Sequence, residues 1–132
     1  MHFGYSQQAW DEMVDAGREF LESVARRGRL TTYTALCQVI RQRTGTEIDT
    51  GEYALNWLLG DISSAALEAT QGALLTSLVT YLDDNRPGEG FFVLARSQGL
   101  LPSGSLSRQD KEDFWMAQVA SVHRGFGRRA AP

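Results

Sequence analysis

The sequence predicts a mostly helical α+β protein. Apolar residues recur at intervals of three and four along several segments, which is the pattern of amphipathic helices. One other segment, residues 73–82, alternates along its length and predicts a largely buried strand. With 132 residues, the chain is long enough to bury a core, and we expect a single domain over residues 1–132.

The N-terminal element is predicted to be a helix over residues 6–27. Ser6 has the hydroxyl that caps helix starts, and Trp10 and Leu21 fall on one helical face. Arginines in the last turn and Gly28 directly after it are typical of a helix end. We therefore expect an amphipathic helix that precedes the main part of the fold.

Two more helices are predicted in the next third of the chain, the first of them after a short strand or extended segment. Their expected cap and stop residues are Thr31 or Thr32 with Gly45 for the first, and Asp49 or Thr50 with Gly60 for the second. The inward side chains of the second of these helices are expected to be Tyr53, Ala54, Trp57 and Leu58.

A turn is predicted at residues 83–88, which carry the sequence Asp-Asp-Asn-Arg-Pro-Gly. The following residues 91–98 fit either a returning strand or a helix. A stop at Gly99 and the cation Arg96 near the end favour a helix.

The last element is predicted to be a helix with a basic tail over residues 107–126. Ser107 and Asp110 have the spacing of a capping pair at a helix start. The basic residues 123–129 at its end are expected to fray, as chain ends commonly do.

The order helix, short strand, helix, turn, helix, strand and turn indicates a winged helix-turn-helix-like core over residues 29–100, with extra helices at both ends. Three short pieces of that core resemble the alkylguanine-DNA alkyltransferases and the alkyltransferase-like proteins. They are "TTYTAL" at 31–36, "YALNWLLGDIS" at 53–63 and "SLVTYLDDNRPGEGF" at 77–91. The resemblance implies a shared scaffold.

The chain departs from that family at the positions that carry its chemistry. The family's reactive Pro-Cys-His-Arg segment would fall at residues 74–77, which are Leu-Leu-Thr-Ser here. Its DNA-entering arginine would fall near Tyr53 or Ala54, and neither is a cation. The resemblance therefore implies no alkyl transfer, because a fold does not carry its chemistry with it.

Composition narrows the classes of protein that fit. A net charge of −3 argues against a protein that coats nucleic acid, since such binding depends on many phosphate contacts, but it allows a local basic face. There is no long apolar run and no visible signal peptide, so we expect a cytoplasmic protein without a membrane association. Twelve arginines against one lysine indicate a GC-rich bacterial genome.

Residues that carry chemistry are sparse, so we expect a binding protein rather than an enzyme. Cys37 is the single cysteine, it lies on an apolar helical face, and the two histidines are near the chain ends. One cysteine and two distant histidines make no zinc pattern, and we expect neither a metal nor another cofactor. The acids around the 83–88 turn are explained by the polarity of a turn.

Two functions remain open at this point. The first is a DNA-associated or regulatory protein that uses the third helix and the turn. The second is a protein-partner module, such as an accessory or immunity-type protein of an operon or mobile element, for which an acidic pI near 5.3 is more natural. The residues predicted to contact DNA or a partner are Arg41, Arg43, Tyr53, Asn56 and Arg86.

Overall fold

The computed structural model describes residues 3–102, 104 and 106–130 of the chain. Helices dominate, and two very short strands complete the α+β architecture predicted from the sequence. In chain order the elements are α1 (Gln7–Arg26), β1 (Thr31–Thr32), α2 (Tyr33–Thr44), α3 (Tyr53–Ala65), α4 (Leu67–Thr70), a 3-10 helix (Leu75–Leu78), β2 (Val79–Thr80), α5 (Glu89–Ser97) and α6 (Arg108–Ala130).

Helix α1 is the centre of the packing and contacts α2, α3 and α6. Its start is the predicted one, because the Ser6 hydroxyl accepts a hydrogen bond from the Ala9 amide at 3.1 Å. Trp10 and Met13 on its apolar face are fully buried. The periodic pattern of the N-terminal segment therefore indicated the correct face.

The two strands form a parallel pair that joins distant parts of the chain. Thr31 lies opposite Val79, and Thr32 lies opposite Thr80. Thr32 also caps α2, since its hydroxyl accepts from the Ala35 amide at 3.1 Å, and Gly45 ends that helix in a left-handed conformation.

The prediction of one strand over residues 73–82 is wrong for most of that segment. Residues 75–78 form the 3-10 helix, and all four of its side chains are buried against α1, α3 and α6. A strand needs a neighbouring backbone to pair with, whereas helices surround this segment. The hydroxyl pair of Ser63 and Thr76, 2.9 Å apart, satisfies polar groups that are buried in this segment.

Two predicted boundaries of α3 are also wrong. The helix follows Glu52 rather than a cap at Asp49 or Thr50, and it continues past Gly60 to Ala65. Helical hydrogen bonding persists through Gly60 because Ile62 and Ser63 beyond it are buried and hold the last turns in the core.

Residues 89–97 form helix α5, which resolves the ambiguity between strand and helix. Helix α6 begins as predicted, with the Ser107 hydroxyl accepting from the Asp110 amide at 3.0 Å. It then runs to Ala130 and includes the basic segment that is predicted to fray. Phe126 is fully buried and anchors this last part of the helix.

Candidate functional site

A surface groove runs between α3 and α5 and encloses about 590 Å³. Residues from both helices line it, and we call it the α3–α5 groove. Its lining residues are Tyr53, Asn56, Trp57, Gly60, Asp61, Ser64, Glu89, Gly90, Val93, Leu94, Ser97 and Gln98.

The two helices of the groove run side by side in the same direction. Gly90, at the start of α5, lies against the side chain of Asn56, and Leu94 one turn later lies against Gly60. A Cβ atom at position 90 would come within 2.6 Å of the Asn56 Oδ1 atom, so glycine permits this close approach. The two glycines therefore set the narrow floor of the groove.

Two aromatic side chains dominate the α3 wall. Tyr53 is 68% exposed and Trp57 is 55% exposed, so the prediction that both face inward is wrong. The inward face of the helix consists instead of aliphatic residues, namely Ala54, Leu55, Leu58, Leu59 and Ile62. Exposed aromatic residues that lie next to each other are uncommon on a surface without a binding role.

The N-terminal segment adds a third ring to this wall. Phe3 lies with its ring centroid 6.0 Å from that of Tyr53 and 6.2 Å from that of Trp57. It also packs at 6.0 Å from the buried Trp10. Phe3 itself remains about half exposed, so the aromatic surface extends beyond the groove.

Asp61 is the acidic residue of the α3 wall. Its Oδ2 atom accepts a hydrogen bond of 2.7 Å from the indole nitrogen of Trp10. No lysine or arginine forms an ion pair with Asp61 in the part of the chain that the structure describes. Its negative charge is therefore available at the surface.

The opposite wall carries an acid, Glu89, whose charge is balanced by two nearby cations. The Glu89 carboxylate lies 3.8 Å from Arg96 and 3.5 Å from Lys111. Lys111 also lies over the ring of Phe92, with its nitrogen 5.4 Å from the centroid. Two cations therefore neutralise the acid on α5, whereas Asp61 keeps its charge.

The predicted site residues fall into separate groups. Tyr53 and Asn56 are exposed and line the α3–α5 groove. The three arginines pair with acids on three different parts of the chain. These pairs are Arg41 with Glu47 at 3.8 Å, Arg43 with Glu19 at 3.8 Å, and Arg86 with Glu112 at 4.0 Å.

Sequence reasoning missed Trp57, Asp61 and the whole α5 wall. Tyr53, Trp57 and Asp61 are spaced four residues apart and therefore share one row on α3. The carboxylate in that row was a signal that the row faces water. The contribution of α5 had no such local signal, because it depends on how distant segments pack.

The turn at residues 81–88 is held in place by Tyr33. The Tyr33 hydroxyl accepts a hydrogen bond from the Gly88 amide at 2.8 Å, and its ring packs 4.9 Å from that of Tyr81. A backbone bond of 2.8 Å from the Tyr81 amide to the Arg86 carbonyl closes the turn. The turn predicted at residues 83–88 is thus a corner of the fold that Tyr33 holds in place.

Cys37 is not placed for nucleophilic chemistry. It is 8% exposed, and burial, with further contributions from Asp49 and Glu52, raises the pKa of its thiol to about 11. A thiol with that pKa is protonated at neutral pH and is a poor nucleophile. Within the described residues, no three histidine, cysteine or acidic side chains are grouped to hold a metal ion.

Among the helices that the structure describes, none combines the length and the apolar character needed to cross a lipid bilayer. No family model, curated protein or solved structure matches this chain. The site therefore has to be interpreted from its own residues.

Proposed function

We propose that this protein is a non-enzymatic module that binds a partner protein, and that a segment of the partner docks in the α3–α5 groove. The observation that carries the proposal is the exposure of Tyr53 and Trp57 side by side on one wall. Tyrosine and tryptophan are the residues most enriched among those that dominate the energy of protein interfaces.

The construction of the groove supports this role. Both walls are helices with side chains in the core, such as Leu58 of α3 and Phe92 of α5, so the aromatic side chains are presented on a packed scaffold. Burying an exposed aromatic ring in an interface removes apolar surface from water, which favours association. Val93 on the opposite wall is 55% exposed and adds aliphatic surface.

A DNA-associated role is the second candidate. Exposed Tyr53 and Asn56 on α3 favour it, because a helix that reads DNA must present polar side chains outward. The three predicted arginines give it less support, since each pairs with an acid and they are not gathered beside α3. Asp61 on the same helix would repel phosphates.

We also propose, as a finer description of the fold, that residues 29–100 form a reduced winged helix-turn-helix related to the alkyltransferase scaffold. The succession from β1 through α2 and α3 to β2 and the closed turn supports it. An experimental structure that superposes this segment on a winged helix would support the relation, and a different helix arrangement would contradict it.

The partner-binding proposal is tested by affinity capture from the cells that encode the protein. The test variant is Tyr53→Ser/Trp57→Ser, which removes both rings from the groove wall. The matched control is Leu82→Ser/Met116→Ser, since these residues are 71% and 51% exposed and lie outside the groove. Circular dichroism checks that all forms are folded.

The expected result is a partner that copurifies with the wild type and the control variant and is lost with the groove variant. Retention of every partner by the groove variant would show that the groove is not the interface. The DNA alternative is tested by fluorescence anisotropy with a random-sequence duplex at two salt concentrations. Binding that weakens steeply with salt and with Arg86→Ala would favour that alternative.

A further inference from the structure

We infer that the segment docked in the α3–α5 groove carries an arginine or lysine beside its apolar side chains, and that Asp61 and Trp57 together hold this cation. The inference rests on the proposed function and specifies the chemistry of the partner. It follows from the charges and the aromatic rings at the groove.

Asp61 has a carboxylate oxygen that can still accept a hydrogen bond from a partner. Its Oδ2 atom is engaged by the Trp10 indole, and no donor among the described residues bonds to its Oδ1 atom. The indole bond also fixes the carboxylate, so a second donor would meet an oriented acceptor. Carboxylates that bond to guanidinium or ammonium groups form stronger hydrogen bonds than neutral acceptors do.

Trp57 provides the second half of a cation site. It lies one helical turn before Asp61 on α3, so the two side chains are neighbours on one face. The Trp57 side chain is 55% exposed, so its indole can be reached from solvent. A tryptophan face attracts an arginine or lysine cation more strongly than the other aromatic rings do.

The charge around α3 favours the same partner. Residues 44–85 contain seven acids and no lysine or arginine. Helix α3 lies inside this segment and carries Asp61 as its one charged side chain, so the outward face of the helix is negatively charged. The acid on the other wall, Glu89, is already paired with Arg96 and Lys111, which leaves Asp61 as the position for an incoming cation.

Recognition in this groove depends mainly on side chains. The groove walls are helices, and beyond the first turn of each helix the backbone groups are bonded within the helix rather than offered to a new strand. Strand addition needs an open sheet edge with unpaired backbone groups. Apolar anchors and one cation are therefore the features that a docking segment would present to these walls.

The test is selection of random peptides of about 16 residues, a length that exceeds three helical turns, displayed on phage against the immobilised full-length protein. Clones that also bind the Tyr53→Ser/Trp57→Ser variant are discarded, so the remaining peptides depend on the groove. We expect these peptides to share an arginine or lysine at a fixed distance from apolar residues.

A double-mutant cycle then locates the cation. Asp61→Asn removes the charge but keeps an oxygen to accept from Trp10, and it should weaken the selected peptide by about tenfold. Replacing the cation of the peptide by glutamine should weaken wild-type binding to a similar extent but have little further effect on the variant. Glu68→Gln is the matched control, since Glu68 is an exposed acid of the same segment outside the groove.

Three results would overturn the inference about the cation. Groove-dependent peptides without a shared cation, or equal losses from Asp61→Asn and Glu68→Gln, would overturn the inference and leave the groove as a docking site. A selection that yields no groove-dependent peptide would also overturn the inference. The proposed function would then be decided separately by whether the groove variant loses partners in the affinity capture.

Discussion

Trp57 differs from the other two tryptophans in its contact with solvent. Trp10 and Trp115 are 1% and 6% exposed, and the indole nitrogen of Trp115 donates to the Ser77 carbonyl at 2.8 Å. We expect acrylamide to quench one accessible tryptophan population in the native protein, because only Trp57 is open to the quencher. The measurement is a quenching titration followed by fluorescence.

The control for this experiment is Trp57→Phe, which should remove the accessible population and leave the protected one. Denaturation should make all remaining tryptophans accessible. If the accessible population persists in Trp57→Phe, then Trp10 or Trp115 is exposed in solution and the α3 face is described incorrectly.

Tyr33 supports the turn through its hydroxyl group as well as through its ring. Tyr33→Phe removes the acceptor for the Gly88 amide, which is then left without that bond in a buried position. A lost bond of this kind costs about 1–3 kcal/mol of stability, and urea denaturation measures the change. Tyr53→Phe is the matched control, because that tyrosine is 68% exposed and its change should be within about 0.5 kcal/mol of zero. Equal effects of the two variants would contradict the role of Tyr33.

At the level of the element, the two glycines of the groove are expected to respond differently to alanine. Gly60 lies in the interior of α3, and an added Cβ would lie 3.6 Å from the Leu94 Cδ1 atom, which is an ordinary contact. Gly60→Ala should therefore stabilise the protein by about 0.5–1 kcal/mol through helix propensity.

Gly90→Ala should not give this gain, because its Cβ would displace the Asn56 side chain from 2.6 Å. In an Asn56→Ala background, Gly90→Ala should become more favourable than it is in the wild type. Thermal unfolding of the four proteins measures both effects. A similar gain from Gly90→Ala in the wild type would mean that α3 and α5 are further apart than described.

Local sequence patterns were sufficient to predict some helix starts, but they did not predict every element. The caps at Ser6 and Ser107 were predicted, and Thr32 was one of two candidates with Thr31, because a hydroxyl and an amide three residues later are a local arrangement. The prediction of a strand over residues 73–82 failed because the segment is buried on every side. Such a segment has no polar face, so its sequence has no periodicity that distinguishes a strand from a helix. Gly60 is predicted to end the helix, but tertiary packing holds the helix together to Ala65.

Only part of the candidate site could be predicted, because sequence patterns describe one helix at a time and not the contact between two helices. Tyr53 and Asn56 were among the predicted contact residues, and both line the groove. Trp57 is predicted to face the core, because its spacing from Ala54 and Leu58 fits an apolar helical face. In the structure, aliphatic residues fill the inward face of α3, and Trp57 lies outside it. The α5 wall depends on contact between residues such as Gly60 and Leu94, which are far apart in sequence, so local patterns carry no information about it.

For the whole molecule, stability is expected to fall in alkaline solution. Burial raises the pKa of the Cys37 thiol from 9.0 to about 11 and that of the Tyr33 phenol from 10.0 to about 12. Between those values the unfolded chain releases protons that the folded chain retains, so the free energy of unfolding decreases as pH rises from about 9 to about 12. Urea denaturation at several pH values measures this slope.

The contribution of the thiol is isolated with Cys37→Ala. That variant has lost the raised pKa, so its stability should decline less steeply than that of the wild type between about pH 9 and pH 11. Comparison of slopes is preferable to comparison of absolute stabilities, since the substitution also removes buried volume. Identical slopes would show that the thiol is accessible to solvent in the folded protein.

The absence of cations from residues 44–85 has a practical consequence for mapping the interface by mass spectrometry. Trypsin cleaves after lysine and arginine but poorly before proline, and Arg86 is followed by Pro87. Complete digestion therefore leaves one long fragment from Thr44 to Arg96 that contains α3 and nearly all of α5. Crosslinks to the groove residues from Tyr53 to Leu94 would all fall in that one fragment, so a protease that cleaves after acids or at apolar residues is the appropriate choice.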